Sequence, residues 1–194
     1  STDPSGGVFY PDYFGKNFVL NDLTHEGGLT AIRIEGPINS VDQRLNRLSK
    51  ELGLLDQELS ILDNEQSNIF WNRTKNLEVF KNLKSNLLRI IVPISETLQV
   101  IQKLKNYEIK YFIDWGGSLI WASFDQLNIK ILNEIKEIVK KHQGYITLIK
   151  VEEDLKASAD IFTIDPIKYK ISEKIKRSFD PKRIFNPGKM YTGI

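Results

Sequence analysis

The chain has 194 residues, 41% of them hydrophobic and 27% charged, enough for one sizeable domain or two small, closely packed ones. A net charge of only +2 gives the whole molecule little reason to meet nucleic acid or an anionic membrane, and the lack of cysteine excludes disulfides, thiol nucleophiles and thiolate metal sites. Two separated histidines, His25 and His142, cannot build a histidine-rich metal centre, and every apolar run falls far short of the ~20 residues that cross a bilayer.

Residues 1–16 hold Pro4, Gly6, Gly7, Pro11 and Gly15, which predicts an irregular segment without a long helix. Two extended runs, 17–23 and 29–36, flank the turn-rich THEGG and predict a hairpin. Ser40, with Gln43 three residues on, reads as a capping box opening a helix. Val41, Leu45, Leu48 and Leu52 share one face of that helix, and Gly53 stops it. A short strand over 58–62 and a helix over 66–80 are expected next.

The second half is more regular. LLRIIVPI (87–94) reads as a strand, 95–106 as a helix capped by Ser95, and EIKYFID (108–114) as a strand. After Trp115, Gly116 and Gly117 come a strand over 118–124, a helix over 127–142 with Ile131, Leu132, Ile135, Ile138 and Val139 on one stripe, and a closing strand over 144–151. This β-α-β-β-α-β order is the ferredoxin-like plan, an antiparallel sheet with both helices on one face. The first half repeats only its last four elements. The expected fold is therefore α+β: an irregular 1–16, an incomplete ferredoxin-like unit over 17–85, a complete one over 86–151, and a linker, helix and tail over 152–194. Asp165 is the N-cap of that last helix, with Pro166 at its first turn and Ile167, Ile171 and Ile175 on one side.

Three stretches carry a resemblance: FDPKRIFNPGKMY (179–191), the hairpin IDWGGSLIW (113–121) and FWNR (70–73). The glycines and Arg33 between Gly28 and Gly36 agree with it. Together they resemble the small FAD-linked subunit of bacterial glycolate oxidase, a flavoprotein of the vanillyl-alcohol-oxidase type. The resemblance implies that the chain, which starts at Ser1 rather than Met, is a fragment of a longer polypeptide, namely the C-terminal cap or substrate domain. An N-terminal flavin domain would hold FAD, the cap's sheet would lie over the flavin ring, and the tail would run back onto the flavin domain. Further implied partners are a larger FAD subunit and an iron-sulfur subunit, in a cytoplasmic assembly peripheral to the inner membrane.

The same resemblance places Asp114, Trp115, Gly116 and Trp121 on the flavin-facing surface, and Asn186, Pro187, Gly188 and Lys189 in the docking tail. Larger relatives carry a histidine-containing metal motif where Trp115 and Gly116 stand, so no metal is expected here and a direct catalytic role is in doubt. No catalytic residue is identified. No glycine-rich pyrophosphate loop is present, so the chain alone is expected to bind FAD poorly and to be inactive. Lys189 and Arg183 are cationic candidates for a substrate carboxylate, although a solvated surface charge is the commoner role. His142, in the last turn of a helix, reads as complementing the helix dipole. A rival reading is a ferredoxin-like module that binds RNA or protein. The RNA version lacks paired aromatics, since Trp121 and Phe124 fall on opposite sides of one strand.

Overall fold

A computed structural model describes residues 2–15, 27–53, 59–83, 86–163, 165–189 and 191. The strand expected over 17–23, most of the THEGG loop and His25 lie outside these residues. The fold is α+β, a six-stranded antiparallel sheet with helices, in strand order β2-β1-β4-β5-β3-β6. The strands are β1 (Gly6–Tyr10), β2 (Leu29–Arg33), β3 (Asn86–Ile91), β4 (Lys110–Asp114), β5 (Leu119–Phe124) and β6 (Tyr145–Lys150). Two compact units divide the chain: Ser1–Leu83 with Phe112–Gly117, and Lys84–Tyr111 with Ser118–Ile194.

The first unit starts with a correction. Residues 6–10, expected to be irregular, form β1, which pairs antiparallel with β2 from Gly6↔Arg33 to Tyr10↔Leu29 and meets β4 at Phe9↔Ile113. Its glycines admit close neighbours. A β-carbon on Gly6 would stand 3.2 Å from the Trp71 indole, and one on Gly7 would stand 3.2 Å from the Gly116 backbone. A four-residue helix, α1 (Asp12–Gly15), follows. Helix α2 (Ile38–Leu52) starts two residues before Ser40, after Pro37, and no side chain caps it. Proline's fixed φ sets the first turn there, leaving Ser40 inside the helix. Gly53 ends it as expected, with φ 62° and its N–H donating to the carbonyls of Lys50 and Ser49.

Residues 59–62 are not a strand. They lead into a capping box at α3 (Asn64–Lys75), in which Asp63 accepts from Gln66 N at 2.8 Å and Asp63 N donates to Gln66 Oε1 at 3.1 Å. Phe70 and Trp71 of the FWNR stretch serve this unit's packing. Phe70 is buried edge-on to Tyr10 at 6.3 Å, while Trp71 lies under Arg33 at 6.0 Å. Tyr10 stacks on Phe112 at 4.7 Å, and Phe112 stacks on Phe80 at 5.6 Å. Burial drives the Tyr10 phenol well above its usual range, against the opposing hydrogen bond to Thr74 Oγ1 at 3.0 Å.

The stretch from β3 to β6 has the expected order, β3, α4 (Thr97–Leu104), β4, β5, α5 (Ile129–Lys141) and β6, although the Phe112–Asp114 end of β4 belongs to the first unit. Its strands lie as β4-β5-β3-β6, the ferredoxin-like arrangement. Leu88 and Ile90 of β3 sit opposite Ala122 and Ile120 of β5 and Leu148 and Ile146 of β6, all buried. Val100, Ile101 and Leu104 of α4 and Leu132, Ile135 and Val139 of α5 join this core. Ser95 caps nothing, because a 3-10 turn over Ile94–Glu96 precedes α4. Beyond β6 come α6 (Glu153–Ser158), which the sequence does not signal, and α7 (Pro166–Phe179). Asp165 caps α7 by accepting from Ile167 N at 2.9 Å and Lys168 N at 3.0 Å. Between the two helices, residues 161–163 run along the outer edge of β6 and bridge Phe162 to Thr147.

Candidate functional site

Asp114, Trp115 and Gly116 form the bend between β4 and β5, within the first unit. Asp114 Oδ1 accepts from Trp115 N at 2.7 Å, and this bond helps hold Trp115 at φ 52°. A left-handed conformation at a bulky residue costs ~1–2 kcal/mol and persists where its surroundings enforce it. The outcome is an indole presented outward, 57% exposed. Exposure of that size sets aside a bend sealed inside the protein.

Trp121 belongs to the second unit and is half-buried, with its Nε1 shut off from solvent. On β5 it alternates with buried Ile120 and Ala122, so it stands on the opposite sheet face, directly across from Arg89 of β3. Arg89 in turn faces Thr147 of β6, giving a Trp121-Arg89-Thr147 row across three strands. Phe124 is fully buried on the core side, so the two aromatics do separate as the alternation predicts. Arg33 is engaged within the first unit by Glu35 at 3.0 Å, Asn68 at 3.4 Å and the Trp71 ring.

The tail is built around Asp180. Its carboxylate accepts from Ile184 N and Phe185 N, each at 2.9 Å, and pairs with Lys176 Nζ at 2.8 Å. Lys176 also donates to the Phe185 carbonyl. The Lys176 ammonium, with the two backbone amides, holds the Asp180 carboxyl down at about 2. Because the folded value lies below the ~3.9 of an unfolded aspartate, this contribution is complete above that value and disappears as pH falls through about 2. The amide resonances of Ile184 and Phe185 are therefore expected to titrate with a midpoint at about 2, and a midpoint at ~4 contradicts the clip.

Past the clip, Asn186 to Lys189 make one turn, with Lys189 N donating to the Asn186 carbonyl at 3.2 Å. Gly188 takes φ 69°, as the third position of a Pro-Gly type II turn requires. The four turn residues are exposed, and Ile184 and Phe185 before them are each 67% exposed. Tyr191 behaves differently: it is 7% exposed, against the rings of Phe162 and Tyr169 at 6.0 Å each. One aromatic therefore anchors the tail to its own unit, and the stretch before it projects.

Sequence reasoning missed one cluster. His142, the C-cap of α5, is buried, with Nδ1 2.6 Å from Glu96 Oε2 and Nε2 2.7 Å from Lys103 Nζ. A carboxylate only accepts and an ammonium only donates, so the proton sits on Nδ1 and neutral imidazole bridges the two. This joins both ends of α4 to the end of α5, a role beyond dipole complementation. Only the dipole signal was visible locally, because Glu96 lies 46 positions away.

Among the described residues, no group of three or more His, Cys, Asp or Glu is placed to hold a metal, and no helix is long and apolar enough to cross a membrane. Residues 162–190 match the family described as FAD linked oxidases, C-terminal domain. The matched stretch runs from the Phe162 bridge through α7 and the Asp180 clip to the Pro-Gly turn. It supports an FAD-linked oxidase C-terminal domain in this part of the chain, and with it an association with FAD. No curated protein matches the chain.

Proposed function

We propose that this chain is the cap, or substrate, domain of an FAD-dependent 2-hydroxy-acid oxidoreductase of the glycolate-oxidase type, and that it works against a flavin domain it does not itself contain. The carrying observation is that the match to FAD-linked oxidases covers the buried Asp180 clip and the exposed Pro-Gly turn that it holds. The residues fit covering a flavin better than holding one: Trp115 offers a planar, exposed indole, and Trp121 and Arg89 stand side by side, half-buried, on one face of the sheet. When bound, the flavin supplies the hydride acceptor for the hydroxy-acid carbon. This chain's share is to exclude water with Trp115 and to present cations toward a substrate carboxylate, with Arg89, Arg183 and Lys189 as candidates. The larger FAD subunit and iron-sulfur subunit of such complexes would be its further partners, and through them it would sit at the inner membrane.

Mixing this chain with the separately prepared flavin domain of a bacterial glycolate oxidase subunit tests the proposal. A yellow complex should co-elute, and Trp115→Ala or removal of residues 186–191 should weaken it about tenfold or more. With added FAD and no such domain, the chain should remain colourless after gel filtration. Stoichiometric retention of FAD by the chain alone, or no association with the flavin domain, overturns the reading.

A further inference from the structure

Helix α7 is turned inside out. Tyr169, Ser172, Glu173 and Lys176, spaced as one helical stripe, are its half-buried residues, so the polar face meets its own unit. The opposite stripe carries Ile167, Ile171, Ile175 and Phe179, exposed by 73%, 53%, 55% and 83%. No residue of the helix is buried. Four large apolar side chains in one exposed row call for a covering body.

Charge narrows what that body is. From Asp165 to Lys189 the chain has eight lysines and arginines against three acids, a net of +5 inside a chain whose total is +2. The near-neutral total therefore conceals a strongly basic end. Lys168 and Lys174 border the apolar row on its two sides, and both are exposed. A second copy of this chain would bring like charges together across the contact. Protein interfaces are depleted of lysine, whereas helices lying in a membrane surface favour it, because the long stem reaches from the apolar layer to the headgroups.

We infer that the outer face of α7 is a membrane-surface contact, with Ile167, Ile171, Ile175 and Phe179 entering the headgroup layer of an anionic phospholipid bilayer and the flanking lysines neutralising its charge. The inference uses the outer face of α7, whereas the flavin reading uses the bend, the Trp121-Arg89 row, and the clip and turn that follow the helix. It would give the chain its own membrane contact in place of one supplied through partner subunits.

Flotation with vesicles tests it, using the whole chain. Vesicles of equal phosphatidylglycerol and phosphatidylcholine should carry the chain upward, pure phosphatidylcholine vesicles should not, and added salt should reduce the effect. Ile171→Asp with Ile175→Asp should lower binding about tenfold or more, with the circular dichroism spectrum unchanged because both positions are exposed. Lys168→Glu with Lys174→Glu should do the same. Equal flotation on both vesicle types, unchanged binding by either double variant, or dimerisation abolished by the isoleucine changes would each overturn the inference.

Discussion

Replacing Phe112 by alanine is expected to destabilise the protein by about 3–5 kcal/mol, the cost of deleting a fully buried aromatic whose site cannot collapse. The ring is held between Tyr10 at 4.7 Å and Phe80 at 5.6 Å, and Tyr10 leans in turn on Phe14 at 6.2 Å and Phe70 at 6.3 Å. Those neighbours stand on separate elements, so none can fill the void without pulling its own backbone. Leucine at the same position should recover most of the loss, leaving a deficit of about 1–1.5 kcal/mol. Urea denaturation followed by circular dichroism gives both values. A Phe112→Ala loss below about 1 kcal/mol would mean that the aromatic cluster is not the core of the first unit. Phe112 lies two residues before Asp114, so the same packing sets where the Trp115 bend begins.

The second large effect is expected from one added methyl group. A β-carbon on Gly144 would lie 2.4 Å from Val92 Cγ1, 2.5 Å from the Ile91 carbonyl oxygen and 2.8 Å from Val139 Cγ1. Two of these are side-chain atoms that can rotate; the carbonyl belongs to β3. Moving it disturbs the Ile91↔Tyr145 pairing with β6, and Gly144 N already donates to the Val139 carbonyl at 2.9 Å. Gly144→Ala should therefore cost about 2–3 kcal/mol by overpacking, read as a lower urea midpoint with an unchanged slope. An alanine variant as stable as the parent would show that the α5-to-β6 connection yields easily.

The legible parts of the fold are those in which local pattern and tertiary environment agree. Strands β3, β5 and β6 are apolar runs between clear breakers, and the α5 stripe buries Leu132, Ile135 and Val139 as its period demands. Strand β1 was hidden because Gly6 and Gly7 lower strand propensity, and only the folded chain shows that Trp71 and Gly116 occupy the space. The expected capping box at Ser40 lost to Pro37, while a true one stood unnoticed at Asp63 and Gln66. At the candidate site, the Asp114-Trp115-Gly116 bend and the Pro-Gly turn could be located from their residues. The indole's outward aim and the Asp180 clip depend on contacts no window of sequence contains. Helix α7 is the sharpest case: its isoleucine stripe is obvious, but periodicity names an apolar face without saying what it touches.

The segment 161–163 has a consequence for how this protein can be recognised. Leu148 N donates to the Ile161 carbonyl at 2.9 Å, Thr163 N donates to the Ile146 carbonyl at 3.0 Å, and Ile146 N donates to Thr163 Oγ1 at 2.6 Å. These bonds occupy the N–H and carbonyl of Ile146 and the N–H of Leu148, groups of β6 that would otherwise template an incoming peptide. β-Augmentation is obstructed along Ile146–Leu148, so a visitor arriving at that part of the border must be read by side-chain chemistry, and fibril-like stacking cannot start from those rungs.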